Sequence, residues 1–168
     1  MLIKNKKKLV IFCFLSLFFL NLNTYADEFN ITAVEISVDS ENDIIIGKGS
    51  VEAIDKDGNL IKADKIKYTK NIELLEAEGS VEVLDVDGNI LRSNLATYDK
   101  INEIITSLEN SELEIKEGYK LTSNIIIYNN KKKLIKSNQK STLTDIDGNI
   151  VTVDMFEYNL EKNLFSSV

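Results

Sequence analysis

The chain has no histidine, no proline and no tryptophan, and a single cysteine in 168 residues. Without histidine there is no Ser-His-Asp triad and no imidazole metal ligand. One cysteine, Cys13, cannot close a disulfide within the chain. Arg92 is the lone arginine, and the formal net charge is −7. An acidic chain with so little arginine is a poor partner for nucleic acid, whose phosphates need clustered cations. It is equally unsuited to anionic lipid headgroups. No nucleophile lies in a pattern with a base, so the sequence calls for no enzyme, no cofactor and no metal. The missing proline suits strands paired along both edges, where proline would remove ladder bonds.

The first 26 residues read as an export signal. Lys4, Lys6, Lys7 and Lys8 form a positive cluster, and Leu9 to Leu20 is apolar except for Ser16. Thr24 and Ala26 then take the small-residue positions of a cleavage site, completing the three-part pattern. The apolar run is short for a membrane span, which needs about 20 residues. Cys13 follows Phe12 inside that run and does not read as a lipoprotein cysteine. Removal of the signal takes four lysines, no acid and the one cysteine, so the exported part is more acidic and thiol-free. It must hold together by burial and backbone pairing alone.

What the rest does have is a repeat. Asp57-Gly58, Asp87-Gly88, Glu117-Gly118 and Asp147-Gly148 follow one another every thirty residues. Tyr68, Tyr98, Tyr128 and Tyr158 keep that spacing, as do Asp64, Asn94, Asn124 and Asp154. Ala33, Ile36 and Val38 mark a preceding half repeat. Such a period means stacked units, none of which buries its apolar face alone. Asp-Gly between alternating runs is a strong hairpin signal. Ile, Val, Thr and Tyr fill the runs, as strands prefer. The fold class is therefore all-β, with about nine strands of up to ten residues.

Two sets of positions read as inward. Val51 and Ala53 repeat as Val81 and Val83, then as Leu113 and Ile115. Ile66, Ala96, Ile126 and Phe156 share a face with the tyrosines that follow them. Leu143 continues the first set into the last repeat. Parity slips at Leu60-Ile61 and Leu74-Leu75, which points to bulges. The tyrosine column is either a ligand-lining row or a structural ladder. Asp55-Lys56-Asp57-Gly58-Asn59 has a flavour of calcium binding but lacks the acids of such a loop, and reads as turn chemistry. Glu76, Glu78, Glu82, Glu109, Glu112 and Glu114 fall on outward positions without a partner base and read as a solvated face. Lys131 to Lys133 read as a charged turn, with contact to lipid phosphates as the alternative.

The pattern Ala63-Asp64-x-Ile66-x-Tyr68, the Gly49-Ser50-Val51 and Gly79-Ser80-Val81 runs, and Asp-Gly-Asn at 57–59, 87–89 and 147–149 resemble the OstA-like domain. That repeat is shared by periplasmic lipopolysaccharide transport protein A and the N-terminal domain of the LPS-assembly (LptD) family. The third repeat departs from it, with Glu117-Gly118-Tyr119 in place of Asp-Gly-Asn. The resemblance implies a V-shaped, twisted β-jellyroll from 27 to 168, with an apolar groove that shields lipid A acyl chains in the periplasm. It implies lipopolysaccharide and other jellyrolls, joined edge to edge, as partners. On this reading Val51, Ala53, Ile66, Val81, Val83, Ala96, Leu113, Ile126, Leu143 and Phe156 are the lipid-groove candidates. Leu164 to Val168 match the column of Leu74 to Glu78, so the chain is expected to stop within the domain, as the N-terminal part of an assembly protein would. A stand-alone carrier is the alternative. An adhesin-like β-repeat, a carbohydrate-binding module and an outer-membrane barrel fit the pattern less well.

Overall fold

The computed structural model describes residues 29–167; the expected signal and its cleavage site lie outside them. The strands are β1 (Phe29–Thr32), β2 (Glu35–Asp39), β3 (Ile44–Asp55), β4 (Leu60–Thr69), β5 (Leu74–Leu84), β6 (Ile90–Asp99) and β7 (Ile104–Glu114). They continue as β8 (Lys120–Asn129), β9 (Leu134–Ser137), β10 (Ser141–Thr144), β11 (Ile150–Val153), β12 (Phe156–Asn159) and β13 (Leu164–Ser167). All belong to one sheet of 13 antiparallel strands. The all-β expectation holds, but nine strands was an undercount. In the last repeat each long strand is cut in two, at 138–140 and at 154–155, and the half repeat contributes β1 and β2.

Each long strand bends once, in its middle. In β3 the register jumps between Lys48 and Val51, where Gly49 and Ser50 have φ of 76° and 47°. Gly79 and Ser80 do the same in β5, and Glu109 and Asn110 in β7. Two left-handed residues in succession turn the strand yet keep its inward parity, so Leu75 and Ala77 before the bend and Val81 and Val83 after it are all buried. The facing strands bend by switching parity. In β4, Ile61 and Ala63 point inward before Asp64, and Ile66 and Tyr68 after it. The slip was expected at Leu60-Ile61 and Leu74-Leu75; those pairs are ordinary alternation, half-buried then buried. The switch sits in the column of Asp64, Asn94 and Asn124 instead.

The bends fold the sheet into two layers. One contains the halves of β3 to β8 next to the Asp-Gly turns, flanked by β1 at one end and by β10 and β11 at the other. The second contains the remaining halves, flanked by β2 and by β9, β12 and β13. Their inward residues form a single apolar cluster. Phe29 of the first layer meets Tyr68 and Tyr98 of the second edge-on, with ring centroids 4.9 and 5.9 Å apart.

A cross-strand charge ladder covers the outside: Lys65 with Glu78 at 3.0 Å, Lys67 with Glu76 at 2.7 Å, and Arg92 with Glu82 at 3.0 Å and Glu114 at 3.3 Å. These half-exposed pairs contribute at most about 1 kcal/mol each. They are the solvated face expected of the glutamates.

Gly79 is needed at the corner. Its φ is +77°, and a Cβ there would lie 3.0 Å from Asp64 Cβ and Cγ. Gly79→Ala is expected to lower stability by about 1–2 kcal/mol, the cost of a left-handed L-residue. Urea unfolding measures it.

Candidate functional site: the interior between the layers

Nine of the ten groove candidates are buried between the layers: Val51, Ala53, Val81, Val83 and Leu113 from the first, Ile66, Ala96, Ile126 and Phe156 from the second. Leu143, on β10 near the end of its layer, is half-buried against the same cluster. The alternation rule found this set because both faces of the interior repeat every thirty residues. Ala53, Ile66 and Ile126 have no accessible surface at all. Around these three residues the interior is packed rather than open.

Toward the bends the lining changes along the chain. Gly47, Ala77, Ser107 and Ser137 occupy one column, Val51, Val81, Ser111 and Ser141 the next. The hydroxyls are satisfied: Ser107 donates to Ile126 O at 3.2 Å, and Ser123 lies 2.9 Å from Ser137 Oγ. Toward the bends the lining is thus apolar in the first repeat and carries buried hydroxyls from Ser93 onward.

Opposite the bends the layers meet along a seam that sequence reading did not find. Asp55 Oδ1 accepts the backbone N–H of Asp57 and Asn59, both at 2.9 Å, which makes the turn. Its Oδ2 accepts Asn59 Nδ2 at 2.8 Å, Lys100 Nζ at 2.8 Å and the Tyr98 hydroxyl at 3.2 Å. Lys100 also pairs with Asp57. The Asp55 carboxylate is fully buried and the Lys100 side chain only 4% exposed. Burial pushes the Asp55 carboxyl up, but hydrogen bonds from Lys100 and Asn59 outweigh it and hold it below its usual range. Burial pushes Lys100 down, and its bonds to Asp55 and Asp57 more than reverse that. Tyr98, buried beside them, is pushed up to about 12.

The next repeat builds the same rung with weaker charge. Tyr128 donates to Asp85 at 3.1 Å, Asn130 stands in the place of Lys100, and Lys133 reaches Asp87 at 2.8 Å. In the third rung Ile115 replaces the aspartate and Leu160 the lysine, both against the apolar cluster. Tyr158 there donates to Asn163 instead. The turns are also tied to each other: Asn59 Oδ1 accepts Val86 N–H at 3.3 Å, and Asn89 Oδ1 accepts Lys116 N–H at 3.1 Å. Tyr119 cannot continue that chain.

The crystal structure of LptH, the LptA-homologous periplasmic component of the lipopolysaccharide transport device of Pseudomonas aeruginosa, superposes with a TM-score of 0.60. The match covers 76% of this chain and 96% of that one, at 13% identity. The fold is the LptA-type β-jellyroll. No family model and no curated protein sequence matches the chain.

Within this jellyroll the open choices of the sequence resolve. Tyr98 and Tyr128 are structural rungs across the seam, since they spend their hydroxyls on Asp55 and Asp85, while Tyr68 packs on Phe29 and Tyr158 donates to Asn163. The Asp-x-Asp-Gly-Asn motif is turn chemistry, because both oxygens of Asp55 are engaged by its own turn and the seam. Lys131 to Lys133 form a turn in which Lys131 donates to Ile101 O at 2.7 Å and Lys133 is held by Asp87 and Asn130.

Proposed function

We propose that this chain is a periplasmic lipopolysaccharide-binding and transport module that shields lipid A acyl chains between its two layers. The observation that carries the reading is the apolar interior, continuous through every repeat, in a fold shared with a component of a lipopolysaccharide transport device. Each acyl methylene taken out of water contributes about 0.8 kcal/mol, so a few chains supply the affinity without any charged contact. The outer face fits this, since its half-exposed Lys65, Lys67 and Arg92 are paired with glutamates, which leaves recognition to the inside.

Residues 1–26 act as the export signal and 27–168 as one module, on this reading. Its partners are lipopolysaccharide and other jellyrolls, joined through open sheet edges. Ile36 and Val38 on β2 are 50% and 61% exposed at one end, and Val151 on β11 is 50% exposed at the other. Unpaired edge strands beside exposed apolar side chains are a template for another sheet. We take the module to be the N-terminal domain of an LPS-assembly protein, with the stand-alone carrier as the alternative; both use the interior in the same way.

Photo-crosslinking tests the reading. Probes at Val83, Leu113 and Ile126 are expected to capture lipopolysaccharide, and a probe at exposed Lys56 is not. Equal capture at Lys56 would sink it.

A further inference from the structure

The packed interior poses a question about access: nothing reaches Ala53 or Ile66 while the layers stay closed. Three features bear on it. The bends run down one side of the molecule as a line of corners. The seam runs down the other side, at matching distances along the strands. And the seam is not uniform. At one end Phe29 is wedged against Tyr68 and Tyr98. Next come two polar rungs, Asp55 and Asp57 with Tyr98 and Lys100, then Asp85 and Asp87 with Tyr128, Asn130 and Lys133. The third rung, Ile115 with Leu160, is apolar again, and Tyr119 lies 6.5 Å from Tyr158 beside it.

We propose that the two polar rungs form a lateral window through which acyl chains reach the interior, held between apolar clasps at Phe29 and at Ile115–Leu160, with the bends as its hinge. The inference deepens the proposed function and takes its ligand from it. The physical argument needs no ligand. A buried ion pair is no better for stability than apolar side chains of similar volume. The fold itself accepts the apolar version, since Ile115 and Leu160 fill the same places one repeat on. What a polar rung provides is separability. When the layers part, Asp55, Tyr98 and Lys100 exchange each other for water. When an apolar rung parts, its side chains are stranded in water. The backbone ladders run within each layer, so the window opens without breaking one. A cleft of about 290 Å³ already lies where polar seam gives way to apolar, lined by Asp87, Asn89, Lys116, Glu117, Lys133 and Leu160. The rungs are one repeat apart, or two strands, which sets the window at about 10 Å of seam per repeat.

The test uses the full chain in a Cys13→Ser background, with Ala53→Cys as an interior probe beside the first rung and Val83→Cys beside the second. A water-soluble maleimide is the reagent, and no lipid is present. Converting the first rung to the apolar kind (Asp55→Ile, Tyr98→Phe and Lys100→Leu) is expected to slow labelling at position 53 by about tenfold or more, the effect of burying two aliphatic side chains. Asp85→Ile, Tyr128→Phe and Asn130→Leu should do the same at position 83. Misfolding would speed labelling, so a slower rate cannot arise from damage. Equal or faster labelling with both converted rungs overturns the window. If the converted rungs slow labelling but lipopolysaccharide never crosslinks at Val83, Leu113 or Ile126, the window stands and the transport reading falls.

Discussion

Lys100→Met is expected to cost the fold about 3–5 kcal/mol at neutral pH, the penalty for leaving a buried carboxylate without its cation. Few single changes in this chain should cost more. Asp55 has no exposed surface to rehydrate, and its remaining partners, Asn59 and Tyr98, are neutral donors. The penalty belongs to the stranded charge, not to the pair. Replacing the rung as a whole, by Asp55→Ile, Tyr98→Phe and Lys100→Leu, should therefore return stability to within about 1 kcal/mol of the native chain. The gain of about 1–4 kcal/mol from an apolar rung offsets the turn bonds lost with Asp55, at about 1 kcal/mol each. A triple variant as unstable as the single one would show that the charge is not the cause. The pH dependence gives a second check. The folded-state pKa of Asp55 is depressed, so its contribution is present above the unfolded value near 4 and is lost as pH falls through the folded value. Lys100→Met should accordingly be most harmful at neutral pH and progressively less so as Asp55 takes up a proton. Urea unfolding from pH 7 down to pH 3 measures both.

Phe156→Ala should cost a similar amount, about 3–5 kcal/mol, through lost transfer energy and the cavity left behind. Phe156 is buried on β12 and stacks on Phe165 at 5.6 Å with rings 21° apart. Val151, one strand earlier in the chain and on the other layer, is half exposed although it stands in the same column as buried Ile61, Leu91 and Leu121. Val151→Ala should change stability by no more than about 0.5 kcal/mol. The contrast tests whether the second layer remains a true interior wall in the last repeat while the first is left uncovered there. Near-equal effects would mean that the two layers end together.

Both experiments bear on parts of the molecule that the sequence reveals unequally. The thirty-residue columns placed Val51, Ile66 and Ile126 inside, because inward parity is a local property that the repeat copies. The corner at Asp64 was misplaced to Leu60 and Leu74, because parity alone does not say which of two adjacent apolar residues is outside. The repeated Gly-Ser pair was the better signal: two left-handed residues in a strand need it, or a polar substitute such as Glu109-Asn110. The seam was invisible for a different reason. Asp55 and Tyr98 are 43 residues apart, more than one period, and they meet only because the layers are offset by a repeat. The one local trace was the third rung, where Ile115 and Leu160 depart from their columns together. That joint departure is legible only once the two are known to touch.

The turn-to-turn bonds from Asn59 to Val86 and from Asn89 to Lys116 join successive units whose strand spacing sets the pace at which the chain advances through space. Each repeat adds two strands to each layer, and strands lie about 4.8 Å apart. Thirty residues thus move the structure forward by about 10 Å, or about 0.3 Å per residue, roughly a fifth of the rise of an α-helix. Such a chain trades length for breadth of wall, and its reach grows by about 10 Å with each full repeat.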